Sequence, residues 1–202
     1  MTIQRELFSP APLPEGFEHV RAFLSLDDAT SLEARLMSSV EWVKSEIIIF
    51  GKPVVLPRLT AWYGDAGAGY VYSGIRNDPL PWNHELLKLR DGVSRRAGVR
   101  FNSVLLNRYR SGADSVSWHS DDESELGPTP TIGSLSLGAT RRFRLRNKET
   151  RETHSVDLGP GDLVLMHGES QRCWEHCLPK TKREVGERIN LTFRVVSSSQ
   201  SQ

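Results

Sequence analysis

Cysteine is nearly missing from this chain, with two residues in 202. Cys173 and Cys177 could close one bridge at most, which excludes the disulfide framework of small secreted domains and makes a reducing compartment the natural expectation. Long apolar runs are missing as well. No stretch approaches the roughly 18 uninterrupted apolar residues of a membrane-spanning helix, and no basic-then-apolar segment opens the chain. The expectation is therefore a protein of the cytoplasm, or of the nucleus in a eukaryotic source, with no membrane partner. Neither charge sign prevails: 26 Lys and Arg face 25 Asp and Glu, for a formal net charge of +1. That balance excludes no partner, because a basic face can coexist with an acidic pocket. With 38% hydrophobic and 25% charged residues, the composition suits one globular domain, expected to be monomeric.

Residues 1–16 carry Pro10, Pro12 and Pro14 and read as a flexible lead-in, 17–196 as a single domain and 197–202 as a disordered tail. Ser25 starts a helix in which Leu32, Leu36, Val40 and Val43 recur at helical spacing. Glu46 to Phe50, a Gly51-Lys52-Pro53 turn and Val54 to Leu56 read as one hairpin, and Thr60 to Tyr63 with Tyr70 to Tyr72 as a second. Together they suggest a lid over about 46–74. Asn83 caps a second helix that Gly98 closes. From Arg100 onward the chain turns to short strands split by Gly and Pro: 102–110, 132–137, 141–147, 154–158, 162–166, 172–178 and 188–196. Many short strands without alternating helices point to a mainly β fold with flanking helices, a jelly roll whose core spans about 100–196.

His119 and Asp121 sit two apart, so on an extended strand or its flared end they project to one side and can share an ion. A third ligand would complete the two-histidine, one-carboxylate face that leaves cis positions of Fe(II) open. His176 is the candidate, with His154 and His167 as rivals. Zinc held by Cys173, His176 and Cys177 is disfavoured, because one strand-like segment cannot turn alternating side chains onto one ion. In Arg188-Ile189-Asn190-Leu191-Thr192-Phe193-Arg194-Val195 the odd positions are apolar and the even ones polar. That polar face either meets water or, on a barrel's inner wall, would set two arginines around an asparagine as a carboxylate-binding surface, which Asn107 and Tyr109 could extend.

The ordered set Asn107-x-Tyr109, His119-x-Asp121, His176 and Arg188-x-Asn190-x3-Arg194 resembles the AlkB family of Fe(II)/2-oxoglutarate dioxygenases. The resemblance runs from about Phe50 to Val196. It is strongest to the double-strand-competent DNA repair branch, through Phe50-Gly51-Lys52, Tyr63-Gly64-Asp65-Ala66-Gly67, Ser73-Gly74 and Asp121-Asp122-Glu123. It implies a double-stranded β-helix with an N-terminal nucleotide-recognition lid, and Fe(II) held by His119, Asp121 and His176. It also implies 2-oxoglutarate paired through its distal carboxylate with Arg188, helped by Tyr109 and Asn190, while Asn107 and Arg194 lie near the metal end. The implied reaction uses dioxygen to demethylate 1-methyladenine or 3-methylcytosine in single- or double-stranded DNA, releasing formaldehyde and succinate.

The same resemblance places Tyr72 and His119 on either side of a flipped base, with Ser73 beside it and Glu123 facing its positive charge. Phe50 matches a wedge that fills the gap in the stack, and Lys52, Lys180, Lys182 and Arg183, with Arg58, could follow the phosphates. The alternatives are the same oxygenation on RNA or protein, and a non-catalytic metal-containing nucleic-acid-binding module.

Overall fold

The computed structural model describes residues 12–49, 51–72 and 75–197. The described elements run β1 (Phe17–Val20), α1 (Leu26–Ser39), β2 (Val43–Ile49), β3 (Lys52–Gly64), β4 (Tyr70–Tyr72), β5 (Ile75–Asn77), β6 (Leu80–Pro81) and α2 (His84–Ala97). They continue with β7 (Ser103–Tyr109), β8 (Val116–His119), β9 (Ile132–Gly138), β10 (Arg141–Asn147), β11 (Thr153–Leu158), β12 (Leu163–Met166), α3 (Ser170–Cys173), β13 (Trp174–Leu178) and β14 (Arg188–Arg194). Two sheets, antiparallel except where β6 joins β3 in parallel, face each other. The larger has the order β1-β12-β9-β14-β7-β3-β2, with β6 beside β3, and the smaller the order β11-β10-β13-β8. This is the expected jelly roll.

The two long helices, α1 and α2, begin where capping chemistry places them. Ser25 accepts from the Asp28 N–H and Asn83 from the Leu86 N–H, and Gly98 closes α2 in the left-handed region at φ 71°. Ala29, Leu32 and Leu36 of α1, with Leu86 and Val93 of α2, bury one face of each helix against the larger sheet. The close approach of α2 requires Gly133, where a Cβ would lie 2.6 Å from Val93.

The alternation in β14 decides the architecture. Ile189, Leu191 and Phe193 face the helices and are fully buried, each stabilising the fold by about 1.5–3 kcal/mol. Arg188, Asn190, Thr192 and Arg194 face inward between the sheets. A second apolar cluster, including Ile132, Phe143, Leu145, Val164, Met166 and Trp174, fills the rest of that space.

The first expected hairpin forms, with β2 antiparallel to β3 from Glu46 and Val55 to Ile49 and Lys52, and the second is rearranged. Lys52 to Gly64 is one 13-residue strand that pairs with both β2 and β7, so the supposed lid is continuous with the larger sheet, and Tyr70–Tyr72 pairs with Ile75–Asn77 instead of with Thr60 to Tyr63. Pro57 hides the continuity of β3 in the sequence. It sits in a register shift where Leu56, Pro57 and Arg58 all face Ser45, a bulge being where a strand tolerates a residue with no N–H to donate. Two further expectations shift: Val43 opens β2 instead of extending α1, and Ser170–Cys173 form a helical turn ahead of β13. Leu13, within the expected lead-in, packs on the second cluster.

Candidate active site

β8 and β13 are neighbours, and their register sets His119 opposite His176. Asp121 follows two residues beyond the strand end. One ligand atom from each of the three lies within 4.8 Å of the others. The histidine ring centroids are 4.2 Å apart. His119 Nδ1 lies 2.8 Å from the Ser117 carbonyl, so its N–H donates there and Nε2 keeps a lone pair for an ion. Asp121 is held from behind. Its backbone N–H donates to Gln171 Oε1 at 2.9 Å, and its Oδ1 accepts from Arg194 Nη2 at 2.8 Å.

Burial alone would raise the Asp121 carboxyl, but Arg194 overrides it and the group is held at about 2. Burial depresses the His176 imidazole to about 3. Around neutral pH the trio therefore presents one carboxylate and a neutral buried imidazole, the states in which these groups ligate metals. Asp121 Oδ2 is buried and makes no hydrogen bond among the described residues. A polar atom left so costs about 1–3 kcal/mol, and a cation in the cluster answers it. The donor set fits Fe(II).

A pocket runs inward from this trio. Arg188, 2% exposed, donates from Nη2 to Ser136 Oγ at 2.9 Å and packs on the Tyr109 ring, 5.3 Å from its centroid. Its Nε is buried and makes no hydrogen bond among the described residues. Burial lowers this guanidinium to about 10, with Tyr109 opposing the shift. A buried cation with a donor to give is what the distal carboxylate of a keto acid requires. Asn107 lines the same pocket, where its Oδ1 accepts from Arg58 Nε at 2.6 Å. Asn190 lines it too, but both its amide hydrogens are engaged, by Ser134 Oγ at 2.9 Å and the Leu135 carbonyl at 3.0 Å, and its Oδ1 accepts from Thr192. Asn190 braces the wall here, with no free donor for an anion.

The pocket opens into a groove of about 780 Å³ between β2–β3 and β8. Trp62, Trp118, Arg58 and the apolar Val43, Val54 and Leu80 line it, together with Glu41, Glu46, Asp78 and Glu123. Glu123 is an exposed residue at the mouth whose carboxyl is raised by desolvation against the pull of Arg194. Arg58, expected on the phosphates, lines both groove and pocket. Lys52 is exposed at the start of β3, away from the groove lining. Lys180, Lys182 and Arg183 are exposed on the loop between β13 and β14, which is tied to Gly112 at the opposite end from Asp121. Phe50 and Ser73 lie outside the described residues, as does the Tyr72 side chain, although Tyr72 itself ends β4.

A metal face above a carboxylate-binding floor, on a jelly roll, defines an Fe(II)- and 2-oxoglutarate-dependent oxygenase, and the family model of the 2OG-Fe(II) oxygenase superfamily matches residues 16–194. The chain belongs to that superfamily. Within it the chain is a member of the AlkB family of dioxygenases. The alpha-ketoglutarate-dependent dioxygenase alkB homolog 3 of Bos taurus is 41% identical over 196 residues, covering 91% of this chain and 68% of the relative. The DNA oxidative demethylase ALKBH2 of Mus musculus is 41% identical over 160 residues, covering 75% and 67%. That of Arabidopsis thaliana is 34% identical over 205 residues, covering 88% and 65%. The chain thus spans about two thirds of the length of these relatives. The solved structure of OsALKBH1 superposes with a TM-score of 0.65 at 18% identity, covering 91% of this chain and 99% of that one, a likeness of fold.

Proposed function

We propose that this protein oxidatively removes N-methyl groups from damaged DNA bases, with 1-methyladenine and 3-methylcytosine as substrates. The observation that carries this reading is the groove floor: the His119, Asp121 and His176 trio and the Arg188 pocket open at one point, beside aromatic and acidic side chains. Two of the similar proteins above are named DNA oxidative demethylases.

When bound, Fe(II) and 2-oxoglutarate supply the oxidation of the methyl carbon by dioxygen, with the keto acid converted to succinate and carbon dioxide. The chain's own residues do the rest. Arg188 holds the distal carboxylate, and Arg194 keeps Asp121 ionised and aligned. The lesions are cationic, and a groove bearing Glu41, Glu46, Asp78 and Glu123 beside Trp62 and Trp118 favours positive charge. The base must leave the stack to reach His119, at about a few kcal/mol, and less where methylation has already broken the pair. Once the methyl carbon bears a hydroxyl, its C–N bond breaks, formaldehyde departs and the ring nitrogen returns to its unmodified state.

The test is formaldehyde and succinate release with Fe(II), 2-oxoglutarate and methylated oligonucleotides, single- and double-stranded. Release that depends on the methylated base and disappears in Asp121→Ala supports the proposal. Phe50→Ala should lower duplex repair more than single-strand repair, and equal losses count against a wedge. Succinate without DNA-dependent formaldehyde would move the substrate to RNA or protein.

A further inference from the structure

Behind the cosubstrate pocket lies a second buried cation that the motif residues do not include. Arg141 opens β10 and is 3% exposed. Its Nη1 donates to the Ser111 carbonyl at 3.1 Å, and its Nη2 to the carbonyls of Asp114 and Pro179 at 3.0 and 2.8 Å. These acceptors belong to the two loops, 110–115 and 179–187, that close the barrel beyond Arg188. The loops are tied directly as well, by the Thr181 N–H on the Gly112 carbonyl at 2.9 Å. They pack so tightly that a Cβ on Gly112 would lie 2.5 Å from the Thr181 carbonyl oxygen.

The hydrogen bonds of Arg141 are thus to neutral carbonyls. The carboxylate of Asp114 is engaged by Arg110 through its backbone N–H, Nε and Nη2 at 2.8–2.9 Å. The Arg141 guanidinium also packs on the Tyr109 ring, 6.0 Å from its centroid, the ring that carries Arg188 at 5.3 Å. Two buried like charges on one phenol repel each other, and the charge of Arg141 adds to burial in lowering Arg188. Burial lowers both arginines. An anion arriving beside Arg188 relieves the pair together.

We propose that Arg141 is a positioning and specificity-determining residue for the cosubstrate: it fixes Tyr109 and the two closing loops, and its charge makes the blind end of the pocket select a keto acid with a distal carboxylate. The proposal rests on the pocket being the 2-oxoglutarate site and is independent of the nucleic-acid substrate.

The experiment is calorimetric binding to the Mn(II)-loaded protein of 2-oxoglutarate and of 2-oxobutyrate, which lacks the distal carboxylate, with thermal melting followed for every variant. Arg141→Gln should weaken 2-oxoglutarate about tenfold and 2-oxobutyrate less than about twofold. Arg141→Lys, which returns the charge but not the planar fork, should lose about threefold, again only for the dicarboxylate. In a Tyr109→Phe background the Arg141→Lys effect should shrink, because the residue acts partly through that phenol. If Arg141→Gln does not fold, the selective loss in Arg141→Lys decides. Equal weakening of both acids, or unchanged 2-oxoglutarate binding in a folded variant, overturns the proposal. Failure of the unaltered protein to bind 2-oxoglutarate would instead sink the pocket assignment itself.

Discussion

At the scale of single residues, the metal face depends on groups that touch no ion. Gln171 is 1% exposed and holds the Asp121 backbone through its carbonyl oxygen, while its amide donates to Ser170 and Met166. Groups that orient metal ligands are typically worth about 10–100-fold in affinity. Gln171→Ala should therefore weaken Mn(II) binding by about 10–100-fold while leaving the fold intact, and titration calorimetry beside a melting curve separates the two effects; unchanged affinity would remove Gln171 from the site. Such residues could not be read from the sequence. His119 and Asp121 were legible from their spacing of two, and Arg188, Asn190 and Arg194 from alternation along one strand. His176 needed the family resemblance to be chosen over His154 and His167. Gln171, Ser134 and Ser136 act across elements brought together only by folding, and the satisfied amide of Asn190 depends on partners in β9 that no spacing reveals.

At the scale of elements, seven of the eight strands from Arg100 onward were legible because one face of each packs against apolar neighbours, as in Arg141–Asn147, which has the expected bounds, while the four-residue β8 was not among those expected. β3 was not. Its bulge hides the continuity of the strand, and the same bulge delivers Arg58 to Asn107. The loop after β7 carries its own electrostatic lock. Burial would raise the Asp114 carboxyl, yet hydrogen bonds from the Arg110 side chain and backbone, with the charges of Arg110 and Arg141, hold it below its ordinary value. A carboxyl depressed in the folded state contributes stability above its unfolded pKa of about 4, and that stability is lost as pH falls from there through the lower folded value. Asp114→Asn should lower stability by about 1–3 kcal/mol at pH 7. Because the variant lacks this titration, the gap to the unaltered protein should narrow as the pH drops from about 5 to 3. Urea denaturation across that range checks both statements, and a gap that widens in acid contradicts the assignment.

At the scale of the whole molecule, both ligand sites are built from strands of opposite sheets. His119 and His176 come from the smaller sheet, Arg188 and Arg194 from the larger. Ligands bridging them should therefore stabilise the entire fold. At about a hundredfold excess over Kd a ligand adds about 2.7 kcal/mol, which for a chain of this length corresponds to about 5–10 °C in Tm. Mn(II) with 2-oxoglutarate should raise the melting temperature by that amount, and Asp121→Ala should show none of it. An equal rise in both proteins would place the stabilising sites elsewhere.

The sealed end of the barrel has a consequence for timing. With loops 110–115 and 179–187 locked together and Tyr109, Arg141 and Arg188 all at most 3% exposed, the pocket opens, among the described residues, toward the groove. If a methylated base is the substrate, as proposed, the two reactants would share that doorway. The keto acid would then enter first, the base would follow and cork the passage, and the spent acid would wait behind the product, a queue in which the first molecule in is the last one out.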